Sequence, residues 1–442
     1  MKPFAAVLVS AVMFSGSASA QRVSAAASLD SYIAPLVELD VFSGAIAVAQ
    51  GDSLILQRYY GSASIEHDIP NGRETVFRIA SISKPFTRAL VGRLADKGLL
   101  ALDDKLSRWM PSVPSAEKIS VRMLLDHRAG IPSVNSLPFD EEAIESNSLA
   151  ALVDSISKRP LDYEPGTRRS YSNGGYAIIA RIIELATRES YDSVLTREIL
   201  RPLGMSRTRH ESNGMIIRNA ARGYMPAPDA MSRMVLAPFQ EMDTKTGGGS
   251  LVSSVDDLVT WMRAIGKSDI LSNAMWAELF PAKDSVFGFQ GRSPGFNSYV
   301  EHDRKRDRTT VVLANNYAAG LVADIAVAAD RIADGKTPFP LPVTSEVRVD
   351  PAEVRSLTGF YLLPAGALPV PPGTRVELRL AGDHAVAYIG STPVDVLLPQ
   401  GNGRFLARAL WSIIEASSRT EVDSIVVRAL YADRPFTAVR DP

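Results

Sequence analysis

The stretch Phe77-Arg-Ile-Ala-Ser-Ile-Ser-Lys-Pro-Phe-Thr-Arg88 sets a serine, Ser81, three residues ahead of a lysine, Lys84. Both lie at the start of a helical pattern that Leu90, Val91, Leu94 and Leu99 continue. On a helix, positions i and i+3 share a face, with Cβ atoms about 5–6 Å apart, so the hydroxyl and the amine can meet. A serine hydroxyl is a poor nucleophile until a base takes its proton. Lysine serves as that base only when neutral, and its ordinary pKa is about 10.4. Burial and the positive end of the helix dipole both lower it. Ser81 and Lys84 are therefore a candidate nucleophile and base, with the serine's own N–H available to an oxyanion hole.

The same spacing occurs twice more. Ser115-Ala-Glu-Lys118 sits in a polar turn, and Ser155-Ile-Ser-Lys158 precedes Arg159-Pro160. Proline tends to end a helix, so Lys158 reads as a solvated lysine at a helix C-terminus. Ser81 is surrounded by the apolar Phe77, Ile79 and Ile82. A second candidate is Tyr171-Ser-Asn173, since Tyr-x-Asn occurs once among the 13 tyrosines. Beside a charged lysine a tyrosine loses its proton more easily than in water. Tyr171 is then a base toward the serine or an acid toward the leaving group, and Asn173 offers an amide to a substrate carbonyl. The plain alternative is an Asn-Gly-Gly turn next to a core tyrosine.

With 442 residues the chain exceeds one ordinary core, so two domains are expected. Its 46% hydrophobic and 22% charged residues are a globular balance and argue against disorder. Lys+Arg number 48 and Asp+Glu 49, a net charge of -1 that gives no footprint for a nucleic-acid partner. There is no cysteine, hence no disulfide and no thiolate nucleophile. The five histidines are scattered without a His-x-x-x-His pair, so neither a metal nor another cofactor is expected. Residues 1–20 read as a signal peptide, with Lys2, the apolar run Phe4 to Phe14 and the small-x-small end Ala18-Ser19-Ala20. That segment is too short to span a bilayer, no later run is long enough, and a secreted or periplasmic protein is expected.

Taken in order, Val23 to Ser28 reads as a linker and Leu29 to Leu39 as an amphipathic helix. Ser43 to Gln50 and Ser53 to Tyr60, around Gly51-Asp52, read as a β-hairpin. The Ser81 helix follows, then a helix-like stretch from Leu102 and another from Ile119 to His127, stopped at Gly130 and Pro132. Pro165 to Tyr176 is a loop opening a helix through Leu185, and Gly247-Gly-Gly249 a flexible loop. Ser254 is an N-cap, with acids Asp256 and Asp257 in the first turn. Thr309 to Asn315 is a strand and Leu321 to Ile332 a closing helix. The fold class is α/β of the mixed α+β kind, one sheet flanked by helices. The proline-rich Gly335 to Pro342 marks a boundary. Beyond it Val376–Leu380, Ala385–Ile389, Val394–Leu398 and Ser424–Arg428 are short strands of a separate antiparallel β-barrel or sandwich.

Ser-x-x-Lys followed about ninety residues later by Tyr-x-Asn resembles the serine β-lactamase and penicillin-binding protein-like family, in its class C β-lactamase, D,D-peptidase and esterase branch. Phe77 to Arg88, Leu102-Asp-Asp104, Val121 to Pro132, Tyr163-Glu-Pro-Gly166 and Gly248 to Ser253 all look like that family's stretches. The likeness covers roughly residues 29–335. It implies an antiparallel sheet flanked by helices with an all-helical subdomain in residues 21–338, and a lipocalin-like barrel in residues 343–442. It implies that Ser81 is acylated, that Lys84 and Tyr171 share the acid and base work, and that Asn173 contacts the substrate amide or carbonyl.

The family's third box, Lys-Thr-Gly or His-x-Gly, departs here. Counting back from Pro294-Gly-Phe296, the box is Phe289-Gln290-Gly291, with phenylalanine at the cation position and Arg292 just after it. A missing cation disfavours substrates with a carboxylate beside the scissile bond, so neutral esters are expected to be preferred over penicillins, and Arg292 is the residue placed to stand in. The resemblance thus implies an exported serine hydrolase acting through an acyl-enzyme on a small-molecule or peptide substrate. That substrate is an ester or a D-amino-acid-containing peptide or amide. The alternative is a catalytically weak or inactive relative that serves as a binding module.

Overall fold

The structure is a computed structural model that describes residues 8–133, 148–227, 234–282, 284–316, 321–341, 349–364, 373–382, 384–408, 412–418, 422–429 and 435–441. Its centre is a five-stranded antiparallel sheet, in the order 286–293, 296–303, 308–314, 44–50, 53–60. The hairpin at the start of the chain thus lies beside the strand before the closing helix, with Gly44 opposite Ala314 and Ile46 opposite Val312. Side chains alternate across a strand, and the two faces separate cleanly. Ala45, Ala47, Val311 and Leu313 join a large cluster with Phe77, Phe86, Leu90 and Trp261, where the Phe86 and Trp261 rings stack at 4.0 Å. Ile46, Val48, Val312 and Ala314 join a second cluster, under the helices Leu8–Glu38 and Leu321–Ala333. A strand buried on both sides reads as a continuous apolar run, which is how Thr309 to Asn315 was legible.

Three local expectations change. Val23 to Ser28 is not a linker but part of the helix Leu8–Glu38. Alanine is the best helix former, and Ala25 and Ala26 are buried against the second cluster. The stretch from Leu102 holds only the 3-10 turn Leu106–Arg108. There the N–H groups of Leu106 and Ser107 donate to Ile119 and Ala116 across the loop, and so are not available to helical partners. The Gly247–Gly249 loop is packed: Gly247 and Gly248 are buried, and the Gly247 carbonyl accepts from Thr87 Oγ1 at 2.6 Å.

Residues 359–441 form a closed barrel of eight antiparallel strands in chain order, the first pairing with the last at Phe360 and Asp441. Tyr361, Leu378, Ala385, Leu397, Phe405 and Ile414 fill its interior. The intervening Val386, Val396, Leu398, Leu406 and Ile413 face outward into the second cluster, against Leu29, Ile33 and Ile325. Arg408, 1% exposed, reaches from the barrel to donate to the Leu39 carbonyl at 3.1 Å. The barrel therefore shares a core with the sheet region, which its reading as a separate module did not anticipate. Among the described residues no helix is long and apolar enough to cross a membrane.

Candidate active site

Ser81 lies in the 3-10 turn Ala80–Ile82 that leads directly into the helix Ser83–Asp96. Ala80 has φ 44°, a left-handed conformation that costs a non-glycine residue about 1–3 kcal/mol and concentrates at functional sites. That turn lifts Ser81 above the first helical turn, which carries Lys84. The Lys84 amine is 3.2 Å from Ser81 Oγ, and it donates to Asn173 Oδ1 at 2.7 Å and to the Gly248 carbonyl at 2.6 Å. Lys84 is 6% exposed, and burial lowers its pKa to about 7. In the neutral form its two N–H bonds satisfy Asn173 and Gly248, which leaves the lone pair for the Ser81 hydroxyl.

Tyr171 completes the group, its hydroxyl 2.7 Å from Ser81 Oγ and its ring 4.8 Å from Lys84 Nζ. Its pKa is raised: burial outweighs the lowering by the Ser81 hydrogen bond. The expected easing of proton loss is therefore reversed. Tyr171 is a neutral phenol near pH 7, hydrogen-bonded to Ser81.

The middle residue of Tyr171-Ser-Asn173 explains the spacing. Ser172 caps the helix Asn173–Thr187, its hydroxyl accepting from Gly175 N at 3.0 Å and donating to the Pro132 carbonyl at 3.1 Å. Its N–H donates to His127 Nδ1 at 3.2 Å. One cap thus holds Tyr171 on one side and Asn173 on the other. The His127 ring lies 4.6 Å from that of Tyr171. Burial, with help from Lys84 and nearby arginines, lowers its pKa to about 4, so it is neutral near pH 7 and accepts at Nδ1. Nothing in the sequence pattern marked His127 or Ser172 as parts of the site, although both fall inside the stretches quoted above.

The third-box residues lie on the edge strand Val286–Ser293. Gly291 meets the nucleophile turn so closely that an added Cβ would sit 2.0 Å from the Ile79 carbonyl oxygen and 3.2 Å from Ser81 N. Only glycine allows that approach. Phe289 shares its face of the strand with Gly291 and lines a cleft of about 780 Å³, together with Ser81, Tyr171, Phe287 and Arg304. Arg292 is three residues from Phe289, on the opposite face. It lines a separate cleft of about 320 Å³ with Ser81, Asn173, Lys245 and Gly248. Arg292 thus approaches Ser81 from the smaller cleft, and Phe289 from the larger one. Ser81 borders both clefts, with Tyr171 on the large one and Asn173 on the small one.

These features meet in a known protein family. The Beta-lactamase family model matches residues 29–332, and the chain belongs to that family. Among curated proteins it is 27% identical over 419 residues to penicillin-binding protein 4* of Bacillus subtilis, covering 85% of this chain and 90% of that one. It is 26% identical over 314 residues to protein flp of Staphylococcus aureus, 63% of this chain and 62% of that one. Among solved structures it shares its fold with the octameric penicillin-binding protein homologue of Pyrococcus abyssi, at TM-score 0.60 and 21% identity, with 93% and 99% of the chains covered. It also shares that fold with the D-amino acid amidase of Ochrobactrum anthropi, at TM-score 0.56 and 23% identity, with 71% and 96% covered.

Proposed function

We propose that the protein is an exported serine hydrolase that works through an acyl-enzyme on an ester or on a peptide or amide containing a D-amino acid. The observation that carries this reading is the short contact of Ser81 with both a buried lysine and a neutral tyrosine, at 3.2 Å and 2.7 Å. Neutral Lys84 accepts the hydroxyl proton as Ser81 attacks the carbonyl, so a C–O bond forms at Ser81 while the amine becomes ammonium. As the tetrahedral intermediate collapses, the bond from the carbonyl carbon to the leaving group breaks, and Tyr171 passes its proton to the departing atom and is reprotonated from Lys84. Water reverses the sequence and frees the acid. Ser81 N lies close to the edge strand at Gly291, which supports its N–H as a donor to the tetrahedral oxyanion. Asn173 is held by Lys84 and borders the smaller cleft, so the acyl group lies there and the leaving group lies beside Tyr171.

Residues 21–338 carry this chemistry, with residues 343–442 as the barrel, and residues 1–20 are a cleaved export signal. Phe289 at the cation position favours the second reading, a binding module without turnover. The test is hydrolysis of a nitrophenyl acylate by the Ser81→Ala and Ser155→Ala variants. Loss in the first alone supports a hydrolase, and equal activity in both refutes it.

A further inference from the structure

The large cleft runs away from Ser81 along the strand Val286–Ser293. Gly291 touches the nucleophile turn, Phe289 is two residues out and Phe287 four residues out on the same face, about 13 Å from Gly291 at strand rise. The Phe287 and Phe289 rings meet edge to face at 6.1 Å and make an aromatic shelf. The half-buried Arg304 closes its far end, its guanidinium 4.4 Å over the Phe287 ring and one N–H donating to the Asp284 carbonyl at 3.4 Å.

Among the described residues, the charges around this cleft do not balance. Its acids are Asp126 and Glu278, and its cations are Lys84, Arg88, Arg122, Arg128, Arg169 and Arg304. Arg88 pairs with Asp126, and Arg122 with Glu278. Arg128, Arg169 and Arg304 have no acidic partner among the described residues. Three guanidinium groups without an acidic partner among the described residues, around a cleft with an apolar floor, suit a ligand that is flat or apolar along its length and anionic at its end.

Resting on the hydrolase reading, we propose that this cleft selects a leaving group that crosses the Phe289–Phe287 shelf and ends in an acidic group held by Arg304, remote from the scissile bond. The proton route gives the orientation, because the leaving group must lie beside Tyr171, and Tyr171 borders this cleft and not the smaller one. The expected preference for neutral esters then holds only for short leaving groups that do not reach Arg304.

Three esters with one acyl group test this. Two have an aryl-alkyl leaving group long enough to pass Phe287, ending in a carboxylate or in a carboxamide; the third is a short nitrophenyl ester. kcat/KM is measured for the wild type, Arg304→Gln and Arg304→Lys. The wild type should prefer the carboxylate over the carboxamide by about fivefold, the upper end of a solvent-accessible charge contact. The preference should fall to about one in Arg304→Gln, persist in Arg304→Lys and shrink in high salt. A wild-type ratio at or below one overturns the proposal, as does a ratio unchanged in Arg304→Gln. Turnover of the short ester keeps the hydrolase reading standing in either case. No turnover of any of the three overturns both.

Discussion

If Lys84 takes the proton of Ser81, acylation must follow the neutral fraction of that amine. Burial lowers its pKa to about 7. The amine is then about half neutral at pH 7 and about 1% neutral at pH 5, so kcat/KM for a neutral ester should fall about 50-fold between the two. A lysine left at about 10.4 would be about 0.04% neutral at pH 7, and its rate would climb tenfold per pH unit beyond pH 9. The direction follows from the shift: with a depressed pKa, activity is present above about pH 7 and lost as the amine gains its proton below it. Neither neighbour confuses that window, because His127 titrates near 4 and the Tyr171 pKa is raised above its ordinary 10. The same shift affects stability. Between about pH 7 and 10 the unfolded chain binds a proton at this lysine that the folded chain does not, so this group makes the fold more stable as pH rises through that range. The assay is initial-rate hydrolysis of a neutral ester from pH 5 to 9 at constant ionic strength, with Ser81→Ala as the blank for spontaneous hydrolysis. A flat profile from pH 5 to 8, or one still rising tenfold per unit at pH 9, would refute Lys84 as the base.

Removal of the phenol in Tyr171→Phe should lower kcat by about 10²–10⁴ with little change in the melting temperature, the usual effect of losing a positioned acid. Full activity in that variant would make Tyr171 a packing residue. Ser172→Ala should cost about 1 kcal/mol in urea unfolding as a lost N-cap, and it should reduce activity as well, because the cap holds Tyr171 and Asn173 on its two sides. A stability loss without an activity loss would separate the cap from the site. Truncation after Leu341 would uncover the apolar row that Val386, Val396, Leu398, Leu406 and Ile413 cover, so the shortened chain should be less soluble and melt lower than the full one. A soluble truncation that melts as the full chain does would contradict the shared core.

Short-range features were the legible ones. Two apolar runs around Gly51-Asp52 and a Ser followed by two acids gave the hairpin and the cap at Ser254, because turn and cap chemistry is written in adjacent residues. Ser81 and Lys84 were found by helical spacing, and Tyr171-x-Asn173 by family order. The role of Ser172 and His127 was hidden, because it depends on contacts between segments 40 or more residues apart. The same holds for Arg304, which enters the cleft from the turn after the second strand of the sheet and shares no local pattern with Ser81. Strand parity, which sends Arg292 to the other cleft, was readable from the sequence once the strand Val286–Ser293 was known. The shared core under the barrel was not readable, since outward apolar residues in a short strand look the same whether they face solvent or a docked partner.

The account rests on Ser81 becoming acylated. The direct measurement is the mass of the intact protein and of the peptide containing Ser81 after incubation with a fluorophosphonate or a penicillin. The prediction is one adduct per chain, located on Ser81 and absent from Ser81→Ala. Hydrolysis of a simple ester with no adduct on Ser81, or an adduct on another serine that persists in Ser81→Ala, would contradict it.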